Sequence, residues 1–93
     1  MSAQTTAYSY RGVDLQLTCD ACPEQYDAFI GDEQIGYFRL RHGEFRVDAG
    51  DCGGPTVYEA HPEGDGAFYD DERDYFLNAG IDALLAYREG GAA

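Results

Sequence analysis

The 93-residue chain contains no lysine and no tryptophan, and its six arginines face eighteen aspartates and glutamates, for a formal net charge of −12. So large a negative charge on so small a body repels nucleic acids and anionic membranes and attracts basic surfaces. The composition therefore argues against direct binding of nucleic acid or membrane. It favours a partner protein with a basic surface.

Long hydrophobic runs and paired cysteines are also missing. No apolar stretch approaches the roughly 20 residues that cross a bilayer, and residues 1–6 lack the basic and apolar regions of a secretion signal. The three cysteines are an odd number, which does not suit a complete disulfide framework and agrees with a reducing compartment. We therefore expect a cytoplasmic protein.

Motifs of known catalytic chemistry are absent as well. The sequence has no nucleophile elbow, no phosphate-binding loop, no dinucleotide-binding glycine pattern and no zinc-protease motif. Only two histidines are present to act as general bases. We therefore expect no enzymatic activity and no cofactor.

The chain has enough apolar residues to form one core, because 44% of its residues are hydrophobic and thirteen are Tyr or Phe. Alternating polarity predicts strands over residues 8–19 (with a possible break at Arg11-Gly12), 25–30, 34–41, 44–48 and 56–60. A helix follows, capped by Asp70 or Asp71 and ended by Gly90-Gly91. Its apolar stripe consists of Leu77, Ile81, Leu84 and Leu85, widened by Phe76 and Ala83.

These elements predict an α+β fold, in which an antiparallel sheet of about four to five strands carries one C-terminal amphipathic helix on one face. We expect residues 1–93 to form a single, monomeric domain, with flexible tails at 1–6 and 90–93.

His42-Gly43 is a predicted two-residue hairpin turn, and it sets the pairing of its two strands. Arg41 then faces Glu44 and Arg39 faces Arg46, while Phe38, Leu40, Phe45 and Val47 form an apolar opposite face. Half of the arginines therefore share one patch of sheet, at Arg39, Arg41 and Arg46. We expect them to pair with Glu44 and Asp48; the alternative is a surface for self-association.

Two patterns in the sequence bear on metal binding. Cys19-x-x-Cys22 has the spacing of half a zinc site, which Cys52 with His42 or His61 would complete, but a second close pair is missing. The acidic run near residue 65 lacks the alternating ligands of a calcium-binding loop. We expect reduced thiols and no metal, and a zinc-stabilised module stays as an alternative.

The acids are concentrated between residues 59 and 74, where seven carboxylates accompany one arginine and several tyrosines. Closely spaced carboxylates can satisfy the Lys and Arg arrays with which proteins hold DNA, and tyrosine is favoured at protein interfaces. The predicted partner-binding residues are Glu59, Glu63, Asp65, Asp70, Asp71, Glu72 and Asp74, helped by Asp32 and Glu33. The alternative is a small housekeeping domain of unknown role, acidic because of a salt-rich cytoplasm or a GC-rich genome.

Four segments suggest a family. They are residues 23–27 (PEQYD), 36–43 (GYFRLRHG), 64–66 (GDG) and 70–73 (DDER). With them the chain, over roughly residues 13–88, resembles small phage-encoded anti-CRISPR inhibitors of type I-C systems. The resemblance implies a DNA mimic that works in the host cytoplasm, binds the Cascade surveillance complex at its large Cas8 subunit, and keeps target DNA from its basic groove.

Overall fold

A computed structural model describes residues 6–21, 23–50 and 54–91. Six strands precede the helix in this part of the chain: β1 (Thr6–Tyr10), β2 (Val13–Asp20), β3 (Glu24–Ile30), β4 (Glu33–Arg41), β5 (Glu44–Ala49) and β6 (Thr56–Ala60). They form one antiparallel sheet in chain order. The helix α1 (Asp70–Ala86) follows, and a short π-helical segment (Tyr87–Gly91) extends it. The predicted α+β fold is confirmed, with one strand more than expected.

The additional strand comes from a turn at Arg11-Gly12. Both residues have positive φ, 53° and 83°, which reverses the chain and pairs β1 with β2. The single predicted strand over 8–19 is therefore two strands. Its expected alternation also ends early, because Leu17 is 42% exposed and the register with β3 shifts between Leu17 and Cys19.

The β4–β5 hairpin has the predicted turn and register. His42 and Gly43 take φ values of 56° and 73°, and Arg41 faces Glu44, Arg39 faces Arg46, and Phe38 faces Val47. Phe38, Leu40, Phe45 and Val47 are buried, as the pattern predicted. The arginines consequently lie on the opposite face of the sheet.

The core lies between the sheet and α1, which buries Leu77, Ile81 and Leu84. Gly80 sits at a close approach of helix and sheet, because a Cβ there would lie 2.8 Å from both Phe38 and Val47 side-chain atoms. The sheet also reaches the helix from β1, where the Tyr8 hydroxyl donates to Asn78 Oδ1 at 2.5 Å. Neither helical segment of the described chain has the length and apolar character needed to cross a bilayer.

The start of the helix differs from the prediction. Neither Asp70 nor Asp71 caps it, because Tyr69 is the N-cap and Asp70 is the first helical residue. At the other end α1 stops at Ala86 and the π-helical segment continues to Gly91, which agrees with the predicted helix end at Gly90-Gly91. Thr6, expected in the first tail, belongs to β1. Residues 1–5, 92 and 93 of the predicted tails lie outside the described residues.

Candidate functional site

The loop over residues 61–69 and the first turns of α1 form one end of the molecule, here called the acidic end. Its exposed carboxylates are Glu63, Asp65, Asp70, Asp71 and Asp74. The structure thus brings together five of the nine predicted partner-binding residues on one continuous stretch of surface.

The other four predicted residues have different positions. Glu72 is half-buried and has an internal role, described below. Glu59 is opposite Arg46 in the β5–β6 ladder, so it lies on the sheet face that points away from α1. Asp32 and Glu33 lie beside the far end of the helical region, where Glu33 Oε2 is 3.9 Å from Arg88 Nη1. A 17-residue helix is about 25 Å long, so these two acids are not neighbours of the acidic end.

A buried carboxylate anchors the acidic end to the sheet. Glu24 on β3 is 2% exposed, and its oxygens accept from the Phe68 N–H at 2.9 Å, from Arg73 Nε at 2.9 Å and from the Tyr26 hydroxyl. Burial, followed by the bond to Glu24, raises the pKa of Tyr26 well above its ordinary value, so this hydroxyl stays a donor. The Glu24 N–H also donates to the Gly66 carbonyl at 2.9 Å.

Arg73, the only arginine between residues 59 and 74, is turned toward this anchor. Besides Glu24, it donates to the Phe68 carbonyl at 3.0 Å and to Asp70 Oδ1 at 2.8 Å. The hydrogen bond to Glu24 raises the pKa of Arg73, so its charge is permanent. Arg73 therefore pairs with Glu24 and Asp70 and with no other acid of this region. The carboxylates of Glu63, Asp65, Asp71 and Asp74 have no ion pair within the described residues.

Glu72 fixes the shape of the loop. Its carboxylate accepts the backbone N–H groups of Glu63 at 2.9 Å, Gly64 at 2.8 Å and Tyr69 at 3.0 Å. Desolvation acts to raise the pKa of Glu72, but the three backbone donors outweigh it and lower the pKa. Gly64 is required beside it, because a Cβ there would lie 1.9 Å from the Ala67 carbonyl oxygen. Glu72 is therefore a structural residue that holds the exposed acids in place.

Two tyrosines stand among the exposed carboxylates. Tyr69 is 57% exposed and Tyr75 is 68% exposed, the largest values among the exposed large hydrophobic side chains. Tyrosine side chains offer apolar area and a hydroxyl to a partner. The acidic end thus has the composition of a polar protein-binding surface with aromatic contacts.

Cys19 belongs to no metal site among the described residues, and it is the one cysteine that they include. No group of three or more His, Cys, Asp and Glu side chains is arranged there to hold an ion. Cys19 is a free, half-buried thiol whose Sγ lies 3.4 Å from the Ala21 carbonyl oxygen. Cys22 and Cys52, the other predicted thiols, lie outside the described residues.

The arginine patch on the sheet differs from the prediction. Arg46 Nε is 3.3 Å from Asp48 Oδ1, but Arg39 and Arg41 have no ion pair with any described residue. Asp48 is 2% exposed and accepts from Thr56 Oγ1 at 2.8 Å, while Glu44 is exposed at the hairpin end. The expected neutralisation by Glu44 and Asp48 therefore holds for one of the three arginines.

Comparison of the chain with protein-family models, curated proteins and solved structures found no match.

Proposed function

We propose that this protein is a non-enzymatic binding protein whose acidic end occupies a basic, nucleic-acid-binding surface of a partner protein. One observation carries the proposal: the loop and helix start expose the four unpaired carboxylates of Glu63, Asp65, Asp71 and Asp74. Arg73, the only arginine within residues 59–74, is turned inward to Glu24. Helix capping and loop solvation do not require so many uncompensated charges. A basic partner would supply the missing cations.

The rigidity of the acidic end supports the same function. The side chains of Glu24, Arg73 and Glu72 together make nine hydrogen bonds, which tie the loop and the helix start to each other and to the sheet. Carboxylates held at fixed spacing lose little conformational entropy when they bind. A rigid row of acids can therefore substitute for a phosphate backbone.

The two exposed tyrosines supply the apolar part of the contact. Tyr69 and Tyr75 flank the first turns of α1, so a partner that reaches the carboxylates also covers their rings. Rigid aromatic side chains contribute strongly to binding at interfaces. They would make the affinity less sensitive to salt than charge pairing alone.

The resemblance to anti-CRISPR inhibitors suggests the partner. We infer that the acidic end takes the place of target DNA on the Cas8 subunit of type I-C Cascade. Asp32 and Glu33 join the contact if the partner's basic groove follows the length of α1, and Glu59 joins it if the groove wraps around the edge strand β6. The acidic end is therefore the main contact surface, and these three residues are secondary to it.

The test is a pair of charge-reversal variants of equal charge change. E63K/D71K alters two exposed acids of the acidic end and spares Glu72 and Asp70, which have structural partners. D82K/E89K makes the same change of +4 at exposed positions near the other end of α1. It also removes the exposed ion pair between Arg11 and Asp82, so its fold is checked in the same way. Both are compared with the wild type as competitors of a labelled target duplex for type I-C Cascade, by fluorescence anisotropy.

We expect E63K/D71K to compete about 30- to 1000-fold more weakly, since two like-charge contacts cost about 2–4 kcal/mol. D82K/E89K should stay within a few fold of the wild type. If both variants compete equally weakly, net charge and not the acidic end explains the binding. If E63K/D71K competes as well as the wild type, the acidic end is not the contact surface. Circular dichroism of both variants checks that the fold is intact.

A further inference from the structure

A second charged feature lies on the sheet face that α1 leaves uncovered. Arg39 and Arg41 of β4 and Arg46 of β5 line a cleft of about 220 Å³ together with His42 and Glu44. Half of the six arginines of a strongly acidic chain are thus gathered around one depression. The three side chains come from adjacent strands whose register is fixed by the His42-Gly43 turn.

The arrangement places like charges against each other. Arg39 and Arg46 are directly opposite in the ladder, a position in which like charges repel and destabilise a sheet. The Nε atoms of both residues are buried and have no hydrogen-bond partner among the described residues. Arg46 Nε is within ion-pair distance of Asp48, at 3.3 Å, without the geometry of a hydrogen bond.

Buried, unpaired donors beside a cleft indicate a missing acceptor. An unsatisfied buried polar group costs stability, and here two such donors belong to arginines that line the same depression. An anion bound in the depression would supply an acceptor to these guanidinium groups and screen the repulsion between them. Asp48 does not supply both, because its Oδ1 accepts from Thr56 Oγ1 and lies within ion-pair distance of Arg46 but not of Arg39.

The number of guanidinium groups indicates the kind of anion. Each guanidinium presents a planar fork that matches two oxygens. A carboxylate has two oxygens in one plane, whereas a phosphate group has three or four oxygens in a tetrahedron and can face forks from both strands. A cleft of about 220 Å³ is smaller than the pockets that hold whole drug-sized ligands. The net charge of −12 also opposes a polyanion such as nucleic acid.

We propose that the cleft between Arg39, Arg41 and Arg46 is a binding site for one phosphate group, either inorganic phosphate or the phosphate of a small monoester. The site lies on the sheet face opposite α1, and it adjoins the acidic end at the hairpin turn, where Arg41 and His42 also border a depression with Asp65. It is a binding site and carries no reaction.

The experiment is a titration followed by ¹⁵N NMR, in which arginine Nε–H signals are observed directly. Inorganic phosphate, glycerol phosphate and acetate are added separately at constant pH and ionic strength. The variants are R39Q and R46Q, with R11Q as the matched control, because Arg11 is an exposed arginine paired with Asp82. R41Q tests the third arginine at an exposed position.

We expect saturable one-to-one binding of inorganic phosphate that shifts the Nε–H signals of Arg39 and Arg46. The loss of one charge-assisted contact should weaken binding by about 10- to 100-fold in R39Q and R46Q, and R11Q should bind as the wild type does. Stronger binding of glycerol phosphate than of inorganic phosphate would identify a monoester as the ligand, and the reverse would identify the free ion.

The melting temperature measured without phosphate distinguishes a binding role of Arg39 from a structural role. If Arg39 serves to bind an anion, R39Q should melt at the same temperature as the wild type or higher in phosphate-free buffer, because the substitution removes repulsion from Arg46. Phosphate should then raise the melting temperature of the wild type and leave that of R39Q unchanged. The absence of saturable shifts, equal affinity for acetate, or an equal loss in R11Q would each overturn the proposal.

Discussion

Replacing Arg73 with methionine should destabilise the protein, because it removes the cation that pairs with a buried carboxylate. The substitution keeps an unbranched side chain and removes the guanidinium, which donates to Glu24 at 2.9 and 3.3 Å and to the Phe68 carbonyl at 3.0 Å. Glu24, 2% exposed, would keep only the Phe68 N–H and the Tyr26 hydroxyl as donors. The variant therefore has a buried carboxylate without its cation.

The expected cost follows from that burial. Removing one partner of a fully buried ion pair costs about 3–5 kcal/mol. The Arg73 side chain is 29% exposed, so water replaces part of the lost interaction, and we expect about 2–3 kcal/mol. In a domain of this size that loss lowers the melting temperature by about 10–20 °C. Urea unfolding followed by circular dichroism at pH 7 measures it.

The complementary variant tests the reasoning. E24Q leaves the charge on Arg73, which reaches solvent and also contacts Asp70 at 2.8 Å, so we expect a smaller cost of about 1–2 kcal/mol. The double variant E24Q/R73M should be more stable than R73M alone, because no unpaired buried charge remains. If R73M proves the milder single variant, or if the two costs simply add, the buried pair does not anchor the acidic end.

Three further predictions concern packing, pH and salt. G80A should destabilise by about 1–2 kcal/mol despite the better helix propensity of alanine, because its Cβ would lie 2.8 Å from Phe38 and Val47; thermal unfolding measures this, and a more stable variant would contradict the close approach. The pKa of Glu72 is lower in the folded protein than its ordinary value of 4.5. The ionised carboxylate therefore stabilises the fold above pH 4.5, and this stabilisation is lost as the pH falls through the pKa of the folded state. The melting curves of the wild type and E72Q should therefore differ most at neutral pH and converge below pH 4.5, and a constant difference would assign Glu72 no charge-dependent role. If the acidic residues serve binding, the protein should be folded at about 0.01 M salt, and its melting temperature should rise by only a few degrees at about 1 M salt. Calorimetry measures this, and an unfolded chain at low salt would favour adaptation to a salt-rich cytoplasm instead.

Local signals in the sequence were sufficient for most of the fold. His42-Gly43 predicted both a turn and a register, because two residues with positive φ connect adjacent strands in few ways. The Arg11-Gly12 turn has the same geometry, but the alternation of residues 8–19 continues across it. The pattern therefore could not distinguish one bent strand from two paired strands.

The candidate site depended on contacts that no local pattern contains. Glu24 pairs with Arg73 across 49 positions of sequence, and an acid at a strand start normally lies in solvent. Glu72 stands in a run of five charged residues, 70–74, and only the folded loop shows that it has an internal role. The sequence likewise could not show that Asp32 and Glu33 lie at the far end of the helix.

Amide hydrogen exchange of the protein, alone and bound to type I-C Cascade, tests the central claim most directly. We predict that protection on binding is concentrated in residues 61–75, which include the exposed carboxylates and the two exposed tyrosines of the acidic end. Protection confined to β4 and β5 on the uncovered face, or no protection at the acidic end in a complex that forms, would contradict the account.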